Sequence, residues 1–180
     1  QPKGVRSVIF SGPALSAPMW EEDQRNYLKA FPEDIQEIIA RNEWAQTTDT
    51  EEYQEAMMVY YKRHMCRIDP WPEEMKKELD EMNLQIYHYM WGASEFTVTG
   101  TLKDFDVTAR LVELDLPALF TCGRFDEATP ETTEYYASLV ADSEFRVFEN
   151  CSHMPGIEAP ETYTAAIREF INEQDFKPGA

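Results

Sequence analysis

The apolar run Leu116-Pro117-Ala118-Leu119-Phe120-Thr121-Cys122 stops at Gly123, and an acid, Asp126, follows three residues later. A second short run, Phe145-Arg146-Val147-Phe148, leads into a loop that carries His153 within Ser152-His153-Met154-Pro155. If the two runs are parallel neighbours about 4.8 Å apart, both residues leave the same edge of the sheet and can touch. An acid against a histidine is half of a hydrolytic triad, in which the carboxylate orients the imidazole and stabilises its charged form. The third member is not in sight. Neither Gly-x-Ser-x-Gly nor an oxyanion loop of the His-Gly-Gly kind occurs in the chain. The sequence reads as the back half of a hydrolase.

Composition bounds this reading. A chain of 180 residues, 43% hydrophobic and 28% charged, is long and apolar enough for one packed domain with a solvated surface. No apolar run approaches the roughly 18 residues that span a bilayer. There is also no secretory signal, although the chain opens on Gln1-Pro2-Lys3-Gly4 without a methionine, which leaves an upstream start open. Cys66, Cys122 and Cys151 are odd in number and widely spaced, which argues against a disulfide framework or a zinc site. Reduced thiols and a cytoplasmic location are the expectation. The formal net charge of −18 repels nucleic acid and anionic membranes, so neither is expected as a partner.

Three parts follow along the chain. Residues 5–11 are a short β-rich run closed by Gly12-Pro13, apolar enough to predict a buried parallel strand. From Leu15 to Met90 the signals are helical. Ser16 with Pro18 opens a helix over 17–30, and Pro32 opens another over 33–44. Asp49 and Glu52 form a capping-box pattern ahead of Tyr53, Met57, Tyr60, Tyr61 and His64. Pro72 opens a helix through Met75 and Leu79, and a last one runs over about 84–91. The third part alternates: helix 108–113, strand 116–122, helix 130–140, strand 144–149 and helix 161–174, the last with Tyr163, Ile167, Phe170 and Ile171 on one face. The cap methionines Met57, Met58, Met65, Met75 and Met82 are expected to fill core gaps. His64 and His88 are read as structural, and Tyr87, Tyr89, Trp91 and Phe96 are kept out of the site.

An acid followed by a histidine near the C-terminus is the order found in α/β-hydrolases. Strand, helical insertion and then βαβα also resemble that fold from its sixth strand onward. The predicted class is therefore α/β, a partial α/β-hydrolase fold holding strands six to eight of the parallel sheet with an inserted all-helical cap. The expected division is a core strand in 1–14, a helical cap in 15–107 and the C-terminal βαβα part in 108–180. More closely, the run from Met90-Trp91-Gly92-Ala93-Ser94-Glu95-Phe96 to Leu102-Lys103-Asp104-Phe105-Asp106 resembles the cap-to-core junction of proline iminopeptidases. The blocks Phe10-Ser11-Gly12-Pro13, Gly123-Arg124-Phe125-Asp126-Glu127-Ala128-Thr129-Pro130 and Ser152-His153-Met154-Pro155 are similar to the same family in the same order.

The resemblance implies a serine-type aminopeptidase that removes an N-terminal residue, preferentially proline, from short peptides or amino-acid amides bearing a free amine. It makes Asp126 the triad acid, His153 the base, and Glu95 and Glu127 part of a cluster that holds the substrate amine. The nucleophilic serine and the oxyanion loop would then come from a missing N-terminal half, and no cofactor or metal is required.

Simpler roles stand beside these. Asp126 also suits a turn, and His153 a packed loop. Glu127 suits the start of the helix that opens at Pro130. Glu95, in an apolar setting, needs a partner, either a substrate ammonium or an arginine such as Arg124. Two rival classes remain open: another capped α/β-hydrolase (an amidase, esterase or epoxide hydrolase), or a non-catalytic fragment or split subunit.

Overall fold

Pairing in the sheet begins where two apolar segments first lie side by side. In the computed structural model, which describes residues 4–175, the Val8 N–H donates to the Pro117 carbonyl at 3.0 Å. From there β1 (Val8–Ser11) runs parallel to β4 (Ala118–Gly123), with Val8 opposite Ala118 and Ser11 opposite Thr121. The predicted strand over 5–11 is thus shortened, because its first residues lie before the point where β4 begins. β5 (Ser143–Phe148) pairs parallel on the other side of β4, giving the order β1-β4-β5. Every residue of β4 is buried, as expected of a central parallel strand covered on both faces. Phe10 stacks on its register partner Phe120 with ring centroids 4.6 Å apart.

The chain divides into two compact units, one formed by the residues up to Leu15 together with those from Val107 onward, the other by Ser16–Asp106. In the first unit a 3-10 turn, Thr108–Glu113, precedes β4. A regular helix was expected there; the bonds close at i+3 instead (Leu114 N–H to Leu111 O, 3.0 Å). Helix α6 (Pro130–Ser138) starts on a Thr129 cap, whose Oγ1 accepts from Thr132 N–H at 3.2 Å, and crosses from β4 to β5. It ends two residues before the predicted 140, where Ser143 Oγ donates to the Ala137 carbonyl at 2.7 Å. After β5 come a single turn, α7 (Pro155–Glu158), and the long α8 (Pro160–Asp175). Phe170 of α8 is buried, but Ile171 is 40% exposed, so the predicted apolar face is narrower than drawn.

The second unit is helical: α1 (Ala17–Leu28), α2 (Glu33–Ala45), α3 (Glu51–His64), α4 (Glu73–Glu81) and α5 (Leu84–Met90). Ser16 caps α1 through Met19 N–H at 3.4 Å, and Asn83 caps α5 through Ile86 N–H at 3.1 Å. The capping box expected of Asp49 and Glu52 does not form. The cap position is Thr50, and Glu52 instead holds Arg41 at 2.7 Å and Asn42 at 3.0 Å. Buried Asn42 also accepts from Thr47 Oγ1 at 2.7 Å and Thr50 Oγ1 at 3.0 Å, which ties the end of α2 to the start of α3. The Glu52 carboxyl is held below its ordinary range by these same bonds, the one from Asn42 foremost. A short antiparallel hairpin, β2 (Gly92–Ser94) and β3 (Thr97–Val98), closes the unit and was not foreseen.

The helical core gathers Leu28, Phe31, Ile39, Tyr53, Ala56, Met57, Tyr60 and Phe96. His64 is buried and stacks on Tyr27 at 4.2 Å. Of the methionines expected inside, Met57 and Met75 are buried; Met58, on α3, and Met82, just past the end of α4, are exposed. No helix among the described residues is long and apolar enough to cross a membrane.

All three cysteines are buried free thiols. Burial, assisted by the nearby Asp126 charge, pushes the Cys122 thiol up to about 12. The thiolate is the reactive form, so the folded chain is expected to resist a disulfide-exchange reagent at pH 8, whereas the urea-unfolded chain should release all 3 thiols. Stoichiometric labelling of the folded chain at pH 8 would contradict this.

Candidate active site

Three parallel strands put their C-terminal ends at one edge, and the chemistry of the first unit collects there. β4 ends at Gly123, whose N–H donates to Asp126 Oδ2 at 3.0 Å. Ala128 N–H donates to Asp126 Oδ1 at 2.8 Å, so the short side chain folds the turn that follows the strand. The same Oδ1 lies 2.8 Å from His153 Nδ1. Asp126 therefore serves the turn and the histidine together, and it is fully buried. An ionised carboxylate only accepts hydrogen bonds, so His153 Nδ1 carries the proton and Nε2 is left as the basic nitrogen.

His153 is brought in by the loop after β5. Cys151 N–H donates to the Phe148 carbonyl at 3.1 Å, and the Cys151 carbonyl accepts from Phe125 N–H at 3.0 Å, which straps this loop to the turn after β4. Gly123 makes the close approach possible: a β-carbon there would lie 2.2 Å from the Ser152 carbonyl oxygen. Glu127, also buried, places Oε1 3.8 Å from His153 Nε2. Asp126, Glu127 and His153 are thus brought together at one edge.

Gly12, just past the end of β1, was quoted in the sequence only as part of a motif, yet it faces the imidazole. Its φ is +55°, and a β-carbon would lie 2.7 Å from His153 Cε1 and 2.9 Å from Nδ1. Alanine at this position would meet both backbone strain and the ring. Gly12→Ala is expected to lower stability by about 1–3 kcal/mol in urea unfolding and to displace the imidazole from Asp126. A fully stable variant with an undisturbed histidine would show that the ring has room to spare.

Glu95 lies in the helical unit, in the bend between β2 and β3. Trp20 Nε1 donates to its Oε2 at 3.0 Å and the Tyr87 hydroxyl donates to its Oε1 at 2.6 Å. Both of these donors are neutral, so they orient the carboxylate without cancelling its charge. Sequence reasoning set Tyr87 aside as core; it is instead a direct partner of Glu95. Arg124, the alternative partner weighed for Glu95, engages Glu149 at 2.9 and 2.5 Å. Several serine hydroxyls have structural uses: Ser16 caps α1, Ser94 donates to Glu43 at 2.9 Å, Ser11 accepts from Tyr163, and Ser152 donates to Glu158 at 2.8 Å. Among the described residues no cluster of three or more His, Cys, Asp and Glu side chains is arranged to hold a metal ion.

A parallel sheet with a buried acid and a histidine delivered to its C-terminal edge defines the class, and the sequence comparison agrees. Residues 1–160 match the alpha/beta hydrolase fold family, and the chain belongs to it. Within that family it is similar to proline iminopeptidases. It is 54% identical to the proline iminopeptidase of Heyndrickxia coagulans over 173 residues, 96% of this chain and 60% of that protein. It is 32% identical to the proline iminopeptidase of Thermoplasma volcanium, over 94% of this chain and 58% of that protein. Among solved structures, VinJ superimposes with a TM-score of 0.93 at 36% identity, over 97% of this chain and 60% of that one. The Mycobacterium smegmatis proline iminopeptidase gives 0.88 at 32% identity, over 97% and 59%. The chain thus spans about three fifths of the length of the relatives it matches.

Proposed function

We propose that this chain supplies the acid, the histidine and the amine-binding carboxylates of a serine-type aminopeptidase that removes N-terminal residues, preferentially proline, from short peptides. The observation that carries the reading is the 2.8 Å contact between His153 Nδ1 and the buried Asp126 carboxylate, in a chain 54% identical to a proline iminopeptidase. In this reading His153 Nε2 takes the proton of a serine hydroxyl supplied from outside these residues as it attacks the scissile carbonyl. The same nitrogen then returns the proton to the leaving amine. Asp126 holds the tautomer and stabilises the imidazolium formed in between. Glu127 and Glu95 make charge-assisted hydrogen bonds to the substrate's free amine, which confines cleavage to the first residue. In this reading the reaction belongs to the cytoplasm.

The test pairs two proteins. The 180-residue chain alone is expected to release no chromophore from prolyl or alanyl arylamides, because none of its serines stands in a nucleophile elbow. A fusion placing the N-terminal part of the Heyndrickxia coagulans proline iminopeptidase ahead of this chain is expected to turn over prolyl arylamide. Robust turnover by the chain alone, blocked by a serine-directed reagent, would overturn the division of labour. A folded fusion inactive on every free-amine substrate would overturn the aminopeptidase reading.

A further inference from the structure

The histidine loop contains a second carboxylate that the mechanism above does not use. Glu158 closes the single turn α7, five residues after His153. Its Oε2 accepts from the Ser152 backbone N–H at 2.6 Å and its Oε1 from the Ser152 hydroxyl at 2.8 Å. Ser152 is completely buried and immediately precedes His153. We propose that Glu158 is a positioning residue for His153, clamping Ser152 by main chain and side chain so that the imidazole is held facing Asp126. The proposal rests on the reading of Asp126 and His153 as acid and base, and deepens it.

The loop around the clamp is tied on both sides. Upstream, Cys151 is strapped to the ends of β4 and β5, its N–H to Phe148 and its carbonyl to Phe125. The Ser152 carbonyl packs over Gly123, where no β-carbon would fit. Downstream, Ile157 and Glu158 N–H both donate to the Met154 carbonyl at 2.9 Å, and Pro155 is buried, so α7 is anchored in its own right. Glu158 joins these two anchored pieces across His153. With Ser152 fixed on one side and Met154 on the other, the His153 backbone has little freedom, and the ring is delivered to a point rather than to a region. A buried serine N–H and hydroxyl would otherwise be two donors in need of acceptors, and one carboxylate satisfies both.

The role is geometric, and that makes it separable from a charge effect. Glutamine at 158 can still accept from the Ser152 N–H with its oxygen while its NH2 donates to the Ser152 hydroxyl oxygen. Glu158→Gln is therefore expected to rescue, Ser152→Ala to lose one of the two bonds, and Glu158→Ala to lose both. The readout independent of catalysis is the ring spectrum of His153 in the ¹⁵N-histidine-labelled 180-residue chain. Its Nδ1 proton, bonded to Asp126, should be observed in the parent and in Glu158→Gln, weakened by exchange in Ser152→Ala and lost in Glu158→Ala. His153→Ala supplies the assignment, and Glu161→Gln, an exposed acid at the start of α8, serves as the charge control.

In the fusion enzyme, Glu158→Ala should lower kcat by about ten- to a hundredfold with KM nearly unchanged, the size of loss expected when a reacting group is misplaced by about 1 Å. A folded Glu158→Ala chain with the Nδ1 proton and kcat both intact would overturn the proposal. Glu158→Gln as damaging as Glu158→Ala would overturn it in favour of a charge role. If Glu158→Ala fails to fold, Ser152→Ala decides: an unaltered Nδ1 signal there overturns the clamp. Because the spectrum is read without substrate, an inactive fusion leaves this test standing and counts only against the aminopeptidase reading.

Discussion

In the fusion enzyme, His153→Ala and Asp126→Asn are each expected to lower kcat by about four orders of magnitude, on amide and ester substrates alike. The reason is local. In the proposed mechanism His153 Nε2 is the proton carrier common to both reactions, and it faces the reaction only while Nδ1 is bonded to Asp126, the contact seen at 2.8 Å. Asparagine at 126 can present its NH2 to Nδ1, which selects the wrong tautomer and leaves Nε2 protonated at the moment a base is needed. The Asp126 carboxylate also holds the N–H groups of Gly123 and Ala128, so far-UV spectra and unfolding curves must accompany the kinetics. A well-folded Asp126→Asn variant within tenfold of the parent would remove the acid from the mechanism.

Glu95→Gln should behave differently, because it separates binding from chemistry. A charge-assisted hydrogen bond contributes about 1.5–3 kcal/mol, so kcat/KM on prolyl arylamide should fall by roughly ten- to a hundredfold by that measure. Turnover of a simple ester without an amine should stay near the parent rate, since in the proposed mechanism Glu95, oriented by Trp20 and Tyr87, serves only the amine. Glu127→Gln is expected to lower both activities, the amide more, because its carboxylate also stands 3.8 Å from His153 Nε2 and helps to stabilise the imidazolium. Equal losses on amide and ester for Glu95→Gln would assign that carboxylate to the architecture of the hairpin and weaken the aminopeptidase reading at its root.

The parallel strands were legible because a central parallel strand is apolar at every position. Leu116–Cys122 announced β4 to within two residues at its start and one at its end. Helix starts were legible where the chain carries its own punctuation, as at Ser16, Pro32 and Pro72. The capping box at Asp49 and Glu52 misled because local spacing was the sole signal. Arg41 and Asn42, on the preceding helix, compete for the same carboxylate and win it. The β2/β3 hairpin escaped because strands of three and two residues are too short to show an alternation. Ile171 was assigned to the interior on helical spacing and Met58 as a gap-filling methionine, whereas burial depends on which element lies opposite.

Residue chemistry and chain order were enough to nominate Asp126 and His153, since an acid just past one strand and a histidine just past the next leave a parallel sheet at the same edge. That argument needs only the spacing of about 4.8 Å between neighbouring strands and their common direction. Two other relations belong to the tertiary structure alone: Gly12 lies under the imidazole, and Trp20 holds Glu95. Gly12 and His153 are 141 positions apart, and Trp20 and Glu95 are 75 apart. No period or motif links residues so far separated in the chain. Their meeting is decided when apolar faces pack and each buried polar group takes whichever partner the packing leaves within about 3 Å.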